Sequence, residues 1–328
     1  MLVKETTTRA VGKSAASLPE KKVKKQKWSA MVARDFAINK SLYLLVLPVL
    51  MFYFLFHYLP MYGAVISFQN FKPQLGILGS PWVGLKHFQD FLSGNYFGSL
   101  LFNTLRISFT SLLFSFPAPI ILALLINELK NHRFAKIVQN ITYMPYFIST
   151  VVICGLITNF TLDTGVINYI LGLFGFEPKS LLNYPQYFIP IYVISDIWQT
   201  VGWNSIIYLA ALSAVDPSIY ESAVLDGANR WKQTLHITLP SISPTIVTLL
   251  LLRIGGILNV GYEKILLLYN DATMSVADII STYVYKKGLL DLSWSFSSAV
   301  GLFNSTVNLI FLVGANQISK KFADASLW

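Results

Sequence analysis

The sequence predicts an all-α integral membrane protein with six spanning helices and both termini in the cytoplasm. Three observations carry this expectation. Of the 328 residues, 54% are hydrophobic and only 12% charged, about half the charged fraction of an ordinary soluble domain, and the mean hydropathy is +0.55. Six stretches meet the ~20 apolar residues that a helix needs to cross a bilayer, at about 41–62, 101–126, 137–159, 188–212, 243–264 and 296–317. They lack the alternating pattern of outer-membrane barrel strands. The basic residues supply the third observation, because positively charged flanks are retained in the cytoplasm. Of 25 Lys and Arg residues, ten precede residue 41, three lie in 127–136, two in 214–242 and two after 317, so that 17 fall on one side. The opposite side holds Lys72, Lys86, Lys179, Lys264, Lys286 and Lys287, and Arg106 and Arg253 lie within expected spans.

This pattern divides the chain into a basic cytoplasmic tail (1–40), a six-helix membrane domain (41–322) and a short cytoplasmic C-terminal tail (323–328). The first tail carries Lys21, Lys22, Lys24, Lys25 and Lys27 and reads as a solvated segment near anionic lipid headgroups. Its charge follows from the positive-inside bias, and no recognition motif accompanies it, so nucleic acid is not an expected partner. The first apolar run exceeds the h-region of a cleaved leader and should stay attached.

In chain order, the first span ends in Pro60-Met-Tyr-Gly63, and Trp82, Val83, Gly84 and Phe88 follow at the outer boundary, where aromatic residues commonly anchor. The second span carries Pro117 and Pro119, and Pro145 opens the third; each releases a backbone carbonyl that neighbours must satisfy, for packing or for hinging. The connection 162–186 contains a short apolar piece, Ile167 to Phe174, too brief to span and expected as a surface helix. A second surface helix is expected at Val276 to Lys286 within the connection 269–295. Neither outer connection is long enough for a separate domain, so solute capture falls to another protein. Cys154, alone and mid-span, gives no disulfide framework, and His57, His87, His132 and His236 lack metal-ligand spacing. No glycine-rich phosphate loop with its lysine occurs, so the chain is not expected to be an ATPase or another enzyme.

Between the fourth and fifth spans lies a polar island, 216–240. Asp216-Pro217 is a helix start, with Asp as N-cap and Pro at the first helical position. A helix over about 217–225 is expected, then a tight turn at Gly227, then a second short helix from Asn229 to Thr238 that ends before Pro240 and lies across the membrane exit rather than continuing it. The residues Glu221-Ser-Ala223, Asp226-Gly227-Ala228 and Ile237-Thr-Leu239-Pro240 resemble the "EAA" loop of binding-protein-dependent ABC importer permeases, with Ser222 replacing an alanine and Thr234 standing where the family often has Phe. Residues 82–88 are similar to the segment that precedes the core of carbohydrate-type members, with His87 in place of Asn. Gly202-Trp203-Asn204-Ser205, Gly261-Tyr262-Glu263 and the terminal Ser326-Leu-Trp328 resemble the complex-oligosaccharide and polysaccharide subfamily.

The resemblance covers residues 40–328 and implies a type I importer permease fold in the bacterial cytoplasmic membrane. It further implies a second, homologous permease subunit, two ATP-binding subunits and an extracellular solute-binding protein. By it, Glu221, Ala223, Asp226, Gly227, Ala228, Arg230, Trp231, Leu239 and Pro240 dock on an ATPase subunit. ATP and Mg would be held by those partners and no cofactor by this chain. The cargo would be an oligosaccharide or polysaccharide fragment. An ion-coupled secondary transporter of small polar solutes is the alternative, since buried charges would suit it too.

Charged groups inside a bilayer are expensive and mark function by default. Arg106, Asp196, Arg253 and Glu263 either pair to fix helix packing or line a polar passage. In the second case Arg253, Asn259 and Glu263 face Gln199, Trp203 and Asn204 across it. Sugar hydroxyls need donors and acceptors while their C–H faces pack on aromatic rings. Trp198, Gln199, Trp203, Asn204, Asn259 and Tyr262 supply both, and maltose-type permeases take substrate contacts from corresponding parts of their spans. Asn304 and Asn308, four apart, share a helix face and serve as a second candidate pair or as interhelical glue. Arg253 would favour an acidic, uronate-containing cargo by charge.

Overall fold

A computed structural model describes residues 35–322 and 326–327; the basic tail before residue 35 and most of the last six residues lie outside the described residues. Helices make up nearly all of it, and among the described residues there is no strand, only an isolated bridge between Gln69 and Trp82. Two units are distinct, one ending at Tyr62 and one beginning at Gly63.

The first unit contains α1 (Lys40–Tyr53), none of whose residues is buried. Its surface is apolar all round, as expected of a helix whose solvent is lipid. Pro60 does not end the helical run. A five-residue turn, Phe54–Tyr58, precedes it, in which the Leu59 N–H reaches the Phe54 carbonyl. This wider turn relieves the clash that proline makes with the preceding turn of an ordinary helix.

The second unit holds the core. The helices that build the core and the site are α2 (Phe97–Phe114), α3 (Pro117–Asn127), α4 (His132–Tyr143), α5 (Thr150–Thr161), α6 (Pro185–Ser213), α7 (Pro217–Leu225), α8 (Arg230–Gln233), α9 (Leu239–Ile254), α10 (Tyr262–Leu268), α11 (Ile280–Tyr285) and α12 (Trp294–Phe322). Helix α6 is the axis of packing. One end of it, through Phe188, Ile189, Tyr192 and Val193, joins Ile107 of α2, Cys154 of α5 and Ile265 of α10 in one core. The other end, through Tyr208 and Leu212, packs on Ile120 and Ala123 of α3 and Ile242 of α9. A third core seats Phe91 and Leu100 against Ile280 and Val300. Gly202 lets α6 touch the backbone of α4: a Cβ there would stand 2.1 Å from the Thr142 carbonyl oxygen.

Five helical runs are long and apolar enough to cross a membrane: Lys40–Phe68, Phe97–Asn127, Thr150–Leu173, Arg230–Ile254 and Trp294–Lys321. Helix α6, expected as a span at 188–212, has 29 residues but is not one of them. Asp196, Gln199, Thr200, Asn204 and Ser205 dilute its apolar character, which is what a helix surrounded by other helices tolerates.

Four expectations need correction. The apolar run 137–159 is not one helix: it is α4 and α5, separated by an extended stretch at Ile148 and Ser149 after Pro145. The run 243–264 is helical only to Ile254, after which Gly255 and Gly256 unwind it before α10 begins at Tyr262. The surface helix expected over 276–286 is divided into Met274–Ala277 and α11. Finally, α8 does not stop before Pro240. A second wide turn, Thr234–Thr238, with the Leu239 N–H on the Thr234 carbonyl, carries the helix through the proline into α9, by the device seen at Pro60. The short helix expected at 167–174 forms at Val166–Leu173.

Candidate functional site

Two adjoining cavities lie between α2, α6 and α9, of about 330 and 230 Å³. Asp196 of α6 and Arg253 of α9 line both. The larger is completed by Ser115, Pro119, Thr200 and Asn204, the smaller by Ser108, Ser111, Tyr192 and Asn259. Arg230–Glu128, Lys286–Asp278 and Lys287–Asp291 form ion pairs, and none of these involves Arg106, Asp196, Arg253 or Glu263. Asp196 and Arg253 thus both border the cavities without closing a direct ion pair with each other.

The wall next to Arg253 is unwound backbone. Gly255 lies so close to α12 that a Cβ would stand 2.8 Å from Leu312 Cδ1. Non-helical backbone at membrane depth must have its polar groups satisfied by neighbours, and two side chains do so. Asn308 of α12 accepts from the Leu258 N–H at 3.0 Å, and the Ser108 hydroxyl of α2 donates to the Ile257 carbonyl. Asn308 is the interhelical glue of the pair weighed from sequence. Asn304, its companion, donates to the Asn259 side chain at 2.8 Å.

The structure brings some expected pathway residues together and separates others. Asn204, Arg253 and Asn259 line the cavities. Gln199 is engaged by a group the sequence placed on an outer connection: the buried Lys264 Nζ donates to its Oε1 at 3.3 Å. Trp203 stands apart, stacked on Tyr146 with ring centroids 4.6 Å apart and planes 3° from parallel, and edge-on to Phe147. Trp198 lies in an apolar groove with Leu156, Phe160 and Ile194. Glu263 is exposed in the first turn of α10 and lines neither cavity. Tyr262 and Asn304 line a third, adjoining chamber.

The α2 wall was missed. Thr104, Ser108, Ser111 and Ser115 are buried on one helical face, at the spacing that repeats along a helix. The Ser111 and Ser115 hydroxyls have no hydrogen-bond partner, and each lines one cavity. That stripe of hydroxyls in an apolar run was the available signal.

The Glu221 loop is a compact unit built from local chemistry. Asp216 caps α7 by accepting from the Ser218 N–H at 2.9 Å, which holds its carboxyl below the usual aspartate range. Gly227 adopts φ +76°, the left-handed conformation that favours glycine. Asn229 caps α8 through the Lys232 N–H, the Ala228 N–H returns to the Ala223 carbonyl at 2.9 Å, and Tyr220 meets Thr238 at 3.0 Å across the two helices. Arg230 pairs with Glu128, just beyond α3, at 3.1 Å. Glu221 and Asp226 are exposed, Leu239 half-buried and Pro240 exposed. At the tip, Leu225 is 88% and Trp231 70% exposed.

Comparison with known proteins agrees with this architecture. Protein LplB of Bacillus subtilis is 45% identical over 302 residues, 92% of this chain and 94% of that protein. The polygalacturonan/rhamnogalacturonan transport system permease protein YteP of the same organism is 46% identical over 291 residues, 88% and 91% of the two chains. In the crystal structure of a bacterial ABC transporter involved in the import of the acidic polysaccharide alginate, one chain is 41% identical and superposes with a TM-score of 0.83, covering 89% of this chain and 99% of that one. The profile of binding-protein-dependent transport system inner membrane components matches residues 91–323. This chain therefore belongs to that family, as a multi-pass membrane permease subunit of an ABC transporter and not its ATPase.

Proposed function

We propose that this protein forms one half of the membrane pathway of an ATP-driven importer for acidic oligosaccharides or polysaccharide fragments. It would cross the membrane six times, with α6 as the shielded span, and both termini and the Glu221 loop in the cytoplasm. It would work with a second permease, ATP- and Mg-binding subunits and an extracellular solute-binding protein. The observation that carries the reading is one continuous helical rod, Arg230–Ile254, about 38 Å long at the ordinary rise per residue. Its start carries the exposed tip of the loop and its end carries Arg253 at both cavities. An exposed apolar tip on a hydrogen-bonded loop is a surface in need of a partner, and a push on it moves the cavity wall directly. That continuity is a physical coupling between two sites.

The tip residues Ala223, Asp226, Gly227, Ala228 and Trp231 would seat on the ATPase subunit, with Glu221 and Arg230 holding the loop's orientation. Within the cavities Arg253 would meet the carboxylate of a uronate unit. Asn204, Asn259 and the free Ser111 and Ser115 hydroxyls would exchange hydrogen bonds with sugar hydroxyls. Relatives named for polygalacturonan/rhamnogalacturonan transport and for alginate import point to the same cargo chemistry.

The test is uptake by proteoliposomes holding the assembled complex and its solute-binding protein. Uptake of an acidic oligosaccharide should require ATP and be lost with Gly227→Pro, and Arg253→Gln should depress acidic cargo selectively. Transport without ATP sinks the importer reading. Equal handling of acidic and neutral cargo, unaltered by Arg253→Gln, removes the acidic one.

A further inference from the structure

A third chamber, of about 510 Å³, lies beside the two charged cavities and shares no lining residue with them. The segment Asn259 to Tyr262 is the partition: Asn259, Val260 and Gly261 face the smaller charged cavity, while Tyr262 faces the chamber. The hydrogen bond from Asn304, which lines the chamber, to Asn259 closes the partition at 2.8 Å.

The chamber's chemistry differs from that of its neighbours. No charged residue lines it. Its walls include the rings of Tyr262, Tyr285 and Trp294 beside the aliphatic Ile66, Ile280, Val284 and Leu289, with the Tyr262 and Tyr285 centroids 6.2 Å apart and tilted by 31°. Ser281 and Asn304 add polar groups, and the Asn304 Oδ1 is buried without a hydrogen-bond partner. The Tyr262 and Tyr285 hydroxyls and the Trp294 indole N–H bring further hydrogen-bonding groups to the chamber. A buried acceptor left unpaired is costly unless a ligand or water answers it. Flat aromatic faces with hydroxyl and amide groups at their rims fit the alternating C–H and O–H surface of a pyranose ring.

We propose that this chamber is a second saccharide subsite, one that holds a sugar ring by stacking and hydroxyl contacts regardless of its charge, on the far side of the Asn259–Asn304 bond from Arg253. The inference rests on the saccharide-import reading and divides its labour: the aromatic chamber binds the ring, and the Arg253 cavities discriminate the carboxylate. Breaking the asparagine bond would join the two spaces, so that cargo spans both.

The test uses the assembled complex in proteoliposomes, with an alginate pentasaccharide as acidic probe and maltopentaose as neutral probe. Tyr285→Ala and Trp294→Leu should each raise the half-saturating concentration for both probes in parallel by about three- to tenfold, while Trp294→Phe stays within about twofold of wild type. Arg253→Gln should instead affect the acidic probe alone. A second measurement guards against misfolding: Ser281→Cys should react with a polar maleimide in the wild-type background, and either probe should slow that reaction. The subsite is overturned if Tyr285→Ala and Trp294→Leu leave both uptakes unchanged and neither probe protects Ser281→Cys, even where Arg253→Gln still discriminates. A wild-type complex that takes up neither probe overturns both the subsite and the saccharide reading.

Discussion

Replacing Gly202 by alanine should separate α6 from α4. A Cβ at this position would stand 2.1 Å from the Thr142 carbonyl oxygen, 2.3 Å from its carbon and 2.8 Å from the Tyr143 nitrogen, all backbone atoms that no rotamer change can move aside. The helices must part by about 1 Å to restore ordinary contact, and strain of this kind in a packed interior costs about 1–3 kcal/mol. The displacement reaches the site, because Asn204 of the larger cavity and Trp203, stacked on Tyr146, are the next two residues. Gly155 of α5 is the control: a Cβ there meets nothing within 4 Å, so Gly155→Ala should leave stability unchanged or raise it by up to about 1 kcal/mol through helix propensity. Thermal melting of the purified complex, followed by ligand-independent ATPase activity and by oligosaccharide uptake, reads both variants. If Gly202→Ala melts with wild type and transports as well, or if Gly155→Ala is the more damaging, the close approach is not what holds α6 in place.

Three further outcomes follow from the same geometry. Asn308→Leu removes the acceptor for the Leu258 N–H; leaving that buried donor unpaired should cost about 1–3 kcal/mol, seen as a lower melting temperature and faster hydrogen exchange confined to residues 255–261. Gly227→Ala must hold φ +76° with a Cβ, at about 1–2 kcal/mol, and should weaken ATPase co-purification while the cavities still bind cargo; unchanged co-purification would count against the turn's role. Asp216→Ala should lower thermal stability at neutral pH. Because the folded carboxyl titrates below its unfolded value, the contribution is present above the ordinary aspartate range and fades as pH falls through the depressed folded value, so the gap between wild type and variant should close in acid. A gap that widens in acid contradicts the cap.

Local chemistry was the legible part of the chain. Asp216, Pro217 and Gly227 act within their own turns, so one residue's hydrogen bond or φ angle decides each, and all three fall where the sequence puts them. The exit past Pro240 was misjudged because proline was read as a stop. The wide turn at Thr234–Thr238 depends on one extra residue of backbone slack, which composition does not display. The pathway was legible in part. Asn204, Arg253 and Asn259 are polar enough to stand out in apolar runs, whereas Ser108, Ser111 and Ser115 are small and weakly polar and pass as helix filler. Trp198 and Trp203 were grouped with them by residue type, but helical phase turns these side chains to other faces of α6.

By itself the sequence determined a membrane-embedded helical protein, its polar loop and the identity of the charges placed among its apolar runs, because hydropathy, charge bias and turn chemistry act over a few neighbouring residues. Only the tertiary structure decided where a helix should fail. The unwinding after Ile254 is held by Ser108, 149 residues before Ile257, and by Asn308, 50 residues after Leu258. Backbone polar groups in an apolar setting must be satisfied by whatever side chains packing brings near, and that choice, which opens the wall beside Arg253, is made between helices and not along one.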